Sequence, residues 1–384
     1  MSSASRITAT AQIVAPAESF QPVQIIDMQL SMNEGSAPNW TATLTAPYSA
    51  RLANVDAVRQ VTYVDLRVQQ DWGRSDAIAQ MTAALGGSVA TWTAAYGSSP
   101  LSTISSAFYH AYDAGRTGPL EPTVRTFRLV LRGSAVDYVG QRITLTLASP
   151  ESLLMDYALV AAADFQPGAS DLPSLVELAL NRIGATLLDS DADMKAAFSA
   201  DQTLWKRGQT AFDWVYGLTR SKDALLYCRY DGQFVLRFAH TVGADVPQLT
   251  LAASSNLISA TLERSRDRDY FTAVVLTYRW KDAAGVQQEV TDSYDSGLSP
   301  IVCYTETVEG PYPGPGAAQA ALRALQARAK TIECEAVADY KATWLNNPTQ
   351  VVLPDGQLLT GSVKAITFRH PQDRMTATIQ LGVN

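Results

Sequence analysis

The chain has 384 residues, 47% of them hydrophobic and 17% charged, a balance that excludes a disordered chain and predicts a folded globular protein. That length is too great for one small core, so two to four domains are expected, on the usual scale of roughly 100–200 residues per domain. A formal net charge of −7 argues against a nucleic-acid-binding surface, which needs clustered Lys and Arg.

The N-terminus, MSSASRITATAQIV, lacks the basic start and unbroken apolar core of a signal peptide. No run approaches the roughly twenty apolar residues of a membrane span, so the expectation is a chain made in the cytoplasm without such a span. The first domain, 1–150, is written in period two. Ile7, Ala9, Ala11 and Ile13 alternate with polar residues, as do Ile26, Met28, Leu30 and Met32, and then Trp40, Ala42, Leu44 and Ala46. Val64, Leu66 and Val68, then Phe127, Leu129 and Leu131, then Ile143, Leu145 and Leu147 continue the pattern. Alternation buries one face and wets the other, which predicts about six antiparallel strands in a small barrel or sandwich. Asn33 to Asn39, with Gly35 and Pro38, reads as a hairpin loop.

Between residues 71 and 122 the alternation breaks, while aromatics such as Trp72, Trp92, Tyr96 and Tyr112 persist. The segment is too long for an ordinary loop, which rarely exceeds about 15 residues, and too aromatic for pure disorder. It reads as an insertion, packed either on a neighbouring subunit or partner or on its own domain.

Ser149-Pro150-Glu151 ends the first domain and opens a middle α+β domain, 151–240. Pro173 suits the first turn of a helix capped by Asp171, with Leu175, Leu178, Ala179 and Ile183 inward and Gly184 at its end. Asp189, Asp191 and Asp193 have the opening spacing of a calcium loop. Met194 and Ala200 then stand where the loop needs Gly and Glu, so a solvated turn is favoured. The domain is organised around Trp205 to Phe238. Thr210 caps a helix from Ala211 whose apolar face carries Phe212, Val215, Leu218 and Thr219, with Trp214 beside them. Leu225 to Tyr230 and Gln233 to Phe238 read as two strands closed by Asp231-Gly232.

The last domain, 241–384, opens with short strands at Leu249 to Leu251 and Asn256 to Glu263. Arg264 to Asp269 mixes both signs and reads as a solvated hairpin end, with an inter-subunit ion-pair cluster as the sharper alternative. Ala273 to Trp280 and Val286 to Thr291 form a hairpin, and Glu309 to Gly316 is a stiff connector that cannot be helix. Ala317 to Lys330 is an alanine-rich helix with Leu322, Leu325 and Ala329 as its stripe. A second antiparallel set follows: Ile332, Cys334 and Ala336 inward, a Pro354-Asp355-Gly356 turn, Leu358 to Phe368, and Ala377 to Val383. Gly361, inside a strand, marks a bulge or barrel corner.

Trp205, Arg207-Gly208-Gln209, Phe212-Asp213-Trp214 and the strand pair Tyr227 to Leu236 resemble the middle domain of tail hub proteins from tailed bacteriophages and related contractile injection machines. The resemblance extends over the C-terminal third, through the helix Ala317 to Lys330, Asn347-Pro348 and the final strands, but not over 71–122. It implies a β-rich α+β fold with two small antiparallel β-barrels, within 1–150 and 241–384, flanking the middle domain. It further implies a structural virion protein at the tail tip or baseplate. Such a hub forms a homotrimer whose two like barrels per chain give a pseudo-six-fold ring. Its neighbours would be the distal tail or tube protein, the tape measure protein and the tail-tip or fibre proteins. DNA would pass through its lumen without specific binding.

No catalytic, cofactor-binding or metal constellation is recognised. His110, His240 and His370 are widely separated, and neither HExxH nor a Cys/His cluster occurs. There is no G-x-S-x-G elbow and no phosphate-binding glycine motif. Glu333 and Glu335 share the wet side of one strand. Cys228, Cys303 and Cys334 are odd in number and far apart, each in a strand-like run, and read as small buried hydrophobes in a reducing compartment. The expectation is a protein that is no enzyme and needs no cofactor. A carbohydrate-binding receptor-recognition protein or a cell-wall hydrolase stand as alternatives.

Overall fold

A computed structural model describes residues 5–15, 18–19, 21–34, 37–55, 61–72, 123–190, 198–222, 224–238, 249–253, 256–264, 271–281, 285–312, 314–328, 330–340 and 348–381. All but the first two residues of the 71–122 segment, and all but the first of the Arg264 to Asp269 run, lie outside them.

Period-two alternation becomes strand throughout the first part of the chain. Ser5–Ala15 pairs antiparallel with Tyr63–Trp72, which pairs in turn with Thr123–Asp137. The sheet continues through Arg142–Ala148 and Trp40–Pro47 to Asp27–Asn33. The expected inward rows are buried, with one local exception. Ile26 is 42% exposed and Ile25 takes the core position. The strand proper starts only at Asp27, and the backbone N–H of Ile25 donates to Ala9 O instead, which turns the chain by one residue.

The two alternating strand sets, expected as a pair of barrels, are joined edge to edge among the described residues. Asp27–Asn33 pairs antiparallel with Leu358–His370, from Asn33 opposite Ala365 to Met28 opposite His370. Leu358–His370 carries on to Arg374–Leu381, Lys330–Val337 and Leu257–Arg264, so one sheet of 14 strands contains both alternating sets. No closed barrel is formed among the described residues. The physical reason is that each set ends in an edge strand of matching alternation. Pairing those edges satisfies two rows of backbone groups and aligns Met28, Leu30 and Met32 with Ile366 and Phe368 in one core. At the seam Ser31 Oγ lies 3.1 Å from Thr367 Oγ1, and Glu34 pairs with Lys364 at 2.6 Å. Gly361 sits where the strand crowds its neighbour, since a Cβ there would collide with the carbonyl oxygen of Gln380. The bulge itself falls slightly later, between Val363 and Ala365.

Two smaller sheets complete the fold. Ala224–Cys228 and Phe234–Phe238 form the expected hairpin, and Leu187–Ser190 adds a parallel third strand. Helices Leu172–Asn181 and Ala211–Ser221 pack on it, with Asp171 accepting from Ser174 N at 3.0 Å and Thr210 from Asp213 N at 3.0 Å as N-caps. The other small sheet lies within 241–384. Ala273–Lys281 pairs with Gln287–Asp295 on one side and, in parallel, with Cys303–Glu309 on the other. Helix Ala317–Arg328 covers one face, placing Ala318, Leu322 and Leu325 against Val274, Leu276 and Tyr278 in a core of its own.

Candidate functional site

The chain converges where the middle hairpin meets the large sheet. Thr123–Asp137 is paired by Tyr63–Trp72 up to Val130, and by Arg142–Ala148 only from Val130 onward, with a bulge between Leu131 and Gly133. Over its first residues one edge is therefore without a strand neighbour among the described residues, and the hairpin turn fills the gap. Arg128 N donates to Tyr230 O at 2.7 Å. Asp231-Gly232 closes the turn, with Gly232 at φ 83°. A Cβ on Gly232 would stand 3.1 Å from the Arg128 side chain, so glycine is required both by the backbone angle and by the close approach.

Tyr230 brings its ring to 6.0 Å from Phe127, under the Arg125 guanidinium at 5.4 Å. Phe127 also meets Trp40 at 5.3 Å and Tyr340 at 6.5 Å, and Tyr340 stacks on Phe368 at 4.4 Å. One aromatic chain thus joins the first part, the middle hairpin and the last part of the sequence. Burial pushes the Tyr340 hydroxyl pKa well up. Gln70, fully buried, ties the same region with its amide, donating to Ala338 O at 2.6 Å and accepting from Tyr340 N at 3.4 Å.

Beside this cluster sits Glu151, the first residue of the helix Glu151–Asp156 and 3% exposed. Its Oε1 accepts from Asn39 Nδ2 at 2.9 Å and Cys228 N at 2.6 Å. Its Oε2 accepts from Asn39 N at 2.6 Å and Ser149 Oγ at 2.8 Å. Desolvation outweighs these bonds and raises its pKa to about 7. The buried Cys228 thiol is pushed up by desolvation and then by the nearby Glu151 charge, which makes it a poor nucleophile. All four donors around the carboxyl come from the protein itself, two to each oxygen. The arrangement is suited to holding two parts of a protein in register.

A cleft of about 650 Å³ opens nearby, between Val14, Val61 and Tyr63 of the sheet side and Leu153, Tyr157 and Ile183 of the middle part. Its acid, Asp156, is engaged by a two-pronged contact with Arg132, which holds its carboxyl below the usual range.

The residues weighed from sequence fall elsewhere. His370 Nδ1 lies 3.1 Å from Asp373 Oδ1 within a turn, and His110 and His240 are outside the described residues. Asp189 is spent on Arg237 at 2.6 Å, which lowers its pKa, while Asp191 and Asp193 are not described. Glu333 is exposed and Glu335 pairs with Arg374 at 2.6 Å. Among the described residues no three His, Cys, Asp or Glu side chains are placed to hold a metal. Cys228 and Cys334 are buried as expected, but Cys303 is exposed. It begins an edge strand with Thr305 and Thr307 on the side facing away from the covering helix. Glu151 was legible only as a domain boundary, and its one local signal is an acid at the start of a helix. Among the described residues no helix is long and apolar enough to cross a membrane.

Neither a protein-family model nor a curated protein sequence matches this chain. Solved structures do. The 43 kDa tail protein of prophage MuSo2 from Shewanella oneidensis superposes with a TM-score of 0.59 at 14% identity, over 97% of this chain and 98% of the other. A tail protein from Neisseria meningitidis gives 0.59 at 11% identity, over 97% and 96%. Prophage tail protein gp18 from Listeria monocytogenes gives 0.52 at 9% identity, over 96% and 94%. The chain has the fold of these phage tail proteins from end to end.

Proposed function

We propose that this chain is a structural, non-enzymatic hub at the tip or baseplate of a phage-like tail. In this reading 1–150, 151–240 and 241–384 are its three units, and three copies close a ring that joins the tail tube to the adsorption apparatus. The observation that carries it is the edge pairing of Asp27–Asn33 with Leu358–His370. It sets two alternating strand sets side by side within one chain, so three chains would present six sets to a six-fold tube. The full-length likeness to tail proteins supports the same reading.

A closed ring also covers strand edges that a monomer exposes. Its neighbours would be the distal tail or tube protein, the tape measure protein and fibre proteins, and it would be made in the host cytoplasm and carried at the virion tail tip. DNA would pass through the lumen unbound, which the net charge of −7 favours, because a lumen rich in Lys and Arg would hold duplex by counterion release.

Light scattering on the protein alone and particle images of assembled tails test this. Three copies with six similar lobes are expected, together with negligible retention of duplex DNA at low salt. A particle lacking three-fold symmetry on the tail rejects the ring, and two strand sets that fail to superpose reject its pseudo-six-fold symmetry. Tight, salt-sensitive DNA binding rejects the unbound passage.

A further inference from the structure

We infer that Glu151 is a protonation-linked latch that fastens the middle module to the sheet, firm while its carboxyl is neutral and loosened as it ionises. The inference stands independently of the hub reading. Its basis is the position of the carboxyl in the interface. Asn39 and Ser149 approach from the sheet side, and Cys228 N from the middle hairpin, so one side chain bridges the two. The bridge is short, with Cys228 N and Asn39 N both at 2.6 Å from the carboxyl oxygens.

Every donor in it is neutral. Among the described residues no ion pair includes Glu151. The charged and titratable groups around it are otherwise committed. On the hairpin, Arg229 pairs with Asp231 at 3.1 Å, and Cys228 carries a buried thiol. On the sheet, the Arg128 guanidinium stacks on Tyr63 at 4.8 Å. At the end of its own helix Asp156 is held by Arg132 on the exposed side. An ionised Glu151 is thus a buried charge answered only by dipoles, a costly arrangement. The neutral acid keeps the geometry. Its proton can be donated from Oε2 to Ser149 Oγ, whose hydroxyl turns round, while the other three donors remain in place.

The sign follows from linkage. In the closed state the carboxyl's pKa is about 7, and in an opened, hydrated state it returns to the ordinary value of 4.5. The closed state therefore binds more protons between those values, and raising the pH through that window favours opening. The opening constant should grow by about five- to sevenfold per pH unit there and level off above it.

Hydrogen–deuterium exchange on the full chain at pH 5, 6, 7 and 8, corrected for intrinsic rates, reads this at peptides containing Asn39–Trp40 and Cys228. A rise of about five- to sevenfold per unit from 5 to 7, flattening towards 8, is expected, with no such slope in Val274–Tyr278. E151Q should abolish the slope. If E151Q opens the module outright, D231N provides the second arm and should retain the slope. PH-independent opening in the wild type, the same slope in E151Q, or loss of the slope in D231N would each overturn the latch.

Discussion

Trp205 is fully buried, and its ring lies 4.6 Å from that of Trp214 with the planes 4° apart. Both indole N–H groups are satisfied, one by Gln209 O at 3.0 Å and the other by Thr203 O at 3.2 Å. The stack therefore combines a large apolar payload with no unpaired donor, and it holds the start of helix Ala211–Ser221 against the loop before it. Trp205→Ala should lower stability by about 3–5 kcal/mol, read as a shift of the urea midpoint, because truncating a fully buried indole leaves a cavity as well as losing its transfer energy. A cost under about 1 kcal/mol would show that the middle core does not depend on the stack. Thr210 offers a milder comparison at the same helix. Its hydroxyl oxygen accepts from Asp213 N at 3.0 Å, so Thr210→Ala should cost about 1 kcal/mol, the usual value of an N-cap. Thr210 and Asp171 were legible because a cap is a local pattern of one side chain and the turn after it. Gln70, Asn39 and Glu151 were not, since each is a polar residue with a partner 77 to 270 positions away.

At the scale of elements, the hairpin shows where local rules end. Asp231-Gly232 predicts a tight turn between two strands, and the turn forms with Gly232 at φ 83°. The sequence pattern does not say that the turn docks on Arg128, because docking depends on the gap left along Thr123–Asp137. Gly232→Ala tests both layers at once. The positive φ alone costs about 1 kcal/mol, and the contact of the new Cβ with the Arg128 side chain should add to that. Exchange protection should fall at Arg128 as well as in the hairpin. Loss confined to the hairpin would mean that the turn is not a docking element. The same distinction explains which strands were readable. Alternation exposed Ser5–Ala15, Trp40–Pro47 and Arg374–Leu381, whose two faces differ in solvent. Leu187–Ser190 escaped, being short and partly exposed, and the run around Cys303 read as a strand without its partner; both join their sheets in parallel, and parallel pairing leaves no turn between partners to read.

Over the whole molecule, the seam between Asp27–Asn33 and Leu358–His370 joins the two ends of the sequence in one hydrogen-bonded sheet. Its buried side chains form a continuous core running from Ile7 and Trp40 to Phe368 and Ile379. Two independent barrels would have kept their cores apart, and a lesion in one would have left the other intact. A shared core transmits the loss instead, because strands in one hydrogen-bonded sheet over one core open as a unit. Phe368 is the side chain that separates these cases. It is fully buried, stacked 4.4 Å from Tyr340, and placed in the C-terminal strand opposite Leu30 of the N-terminal one. Phe368→Ala should therefore cost about 3–5 kcal/mol, and the backbone amides of Asp27–Asn33 should lose exchange protection together with those of Arg374–Leu381. Loss limited to the C-terminal strands would mean that the two sets are stable separately and merely touch.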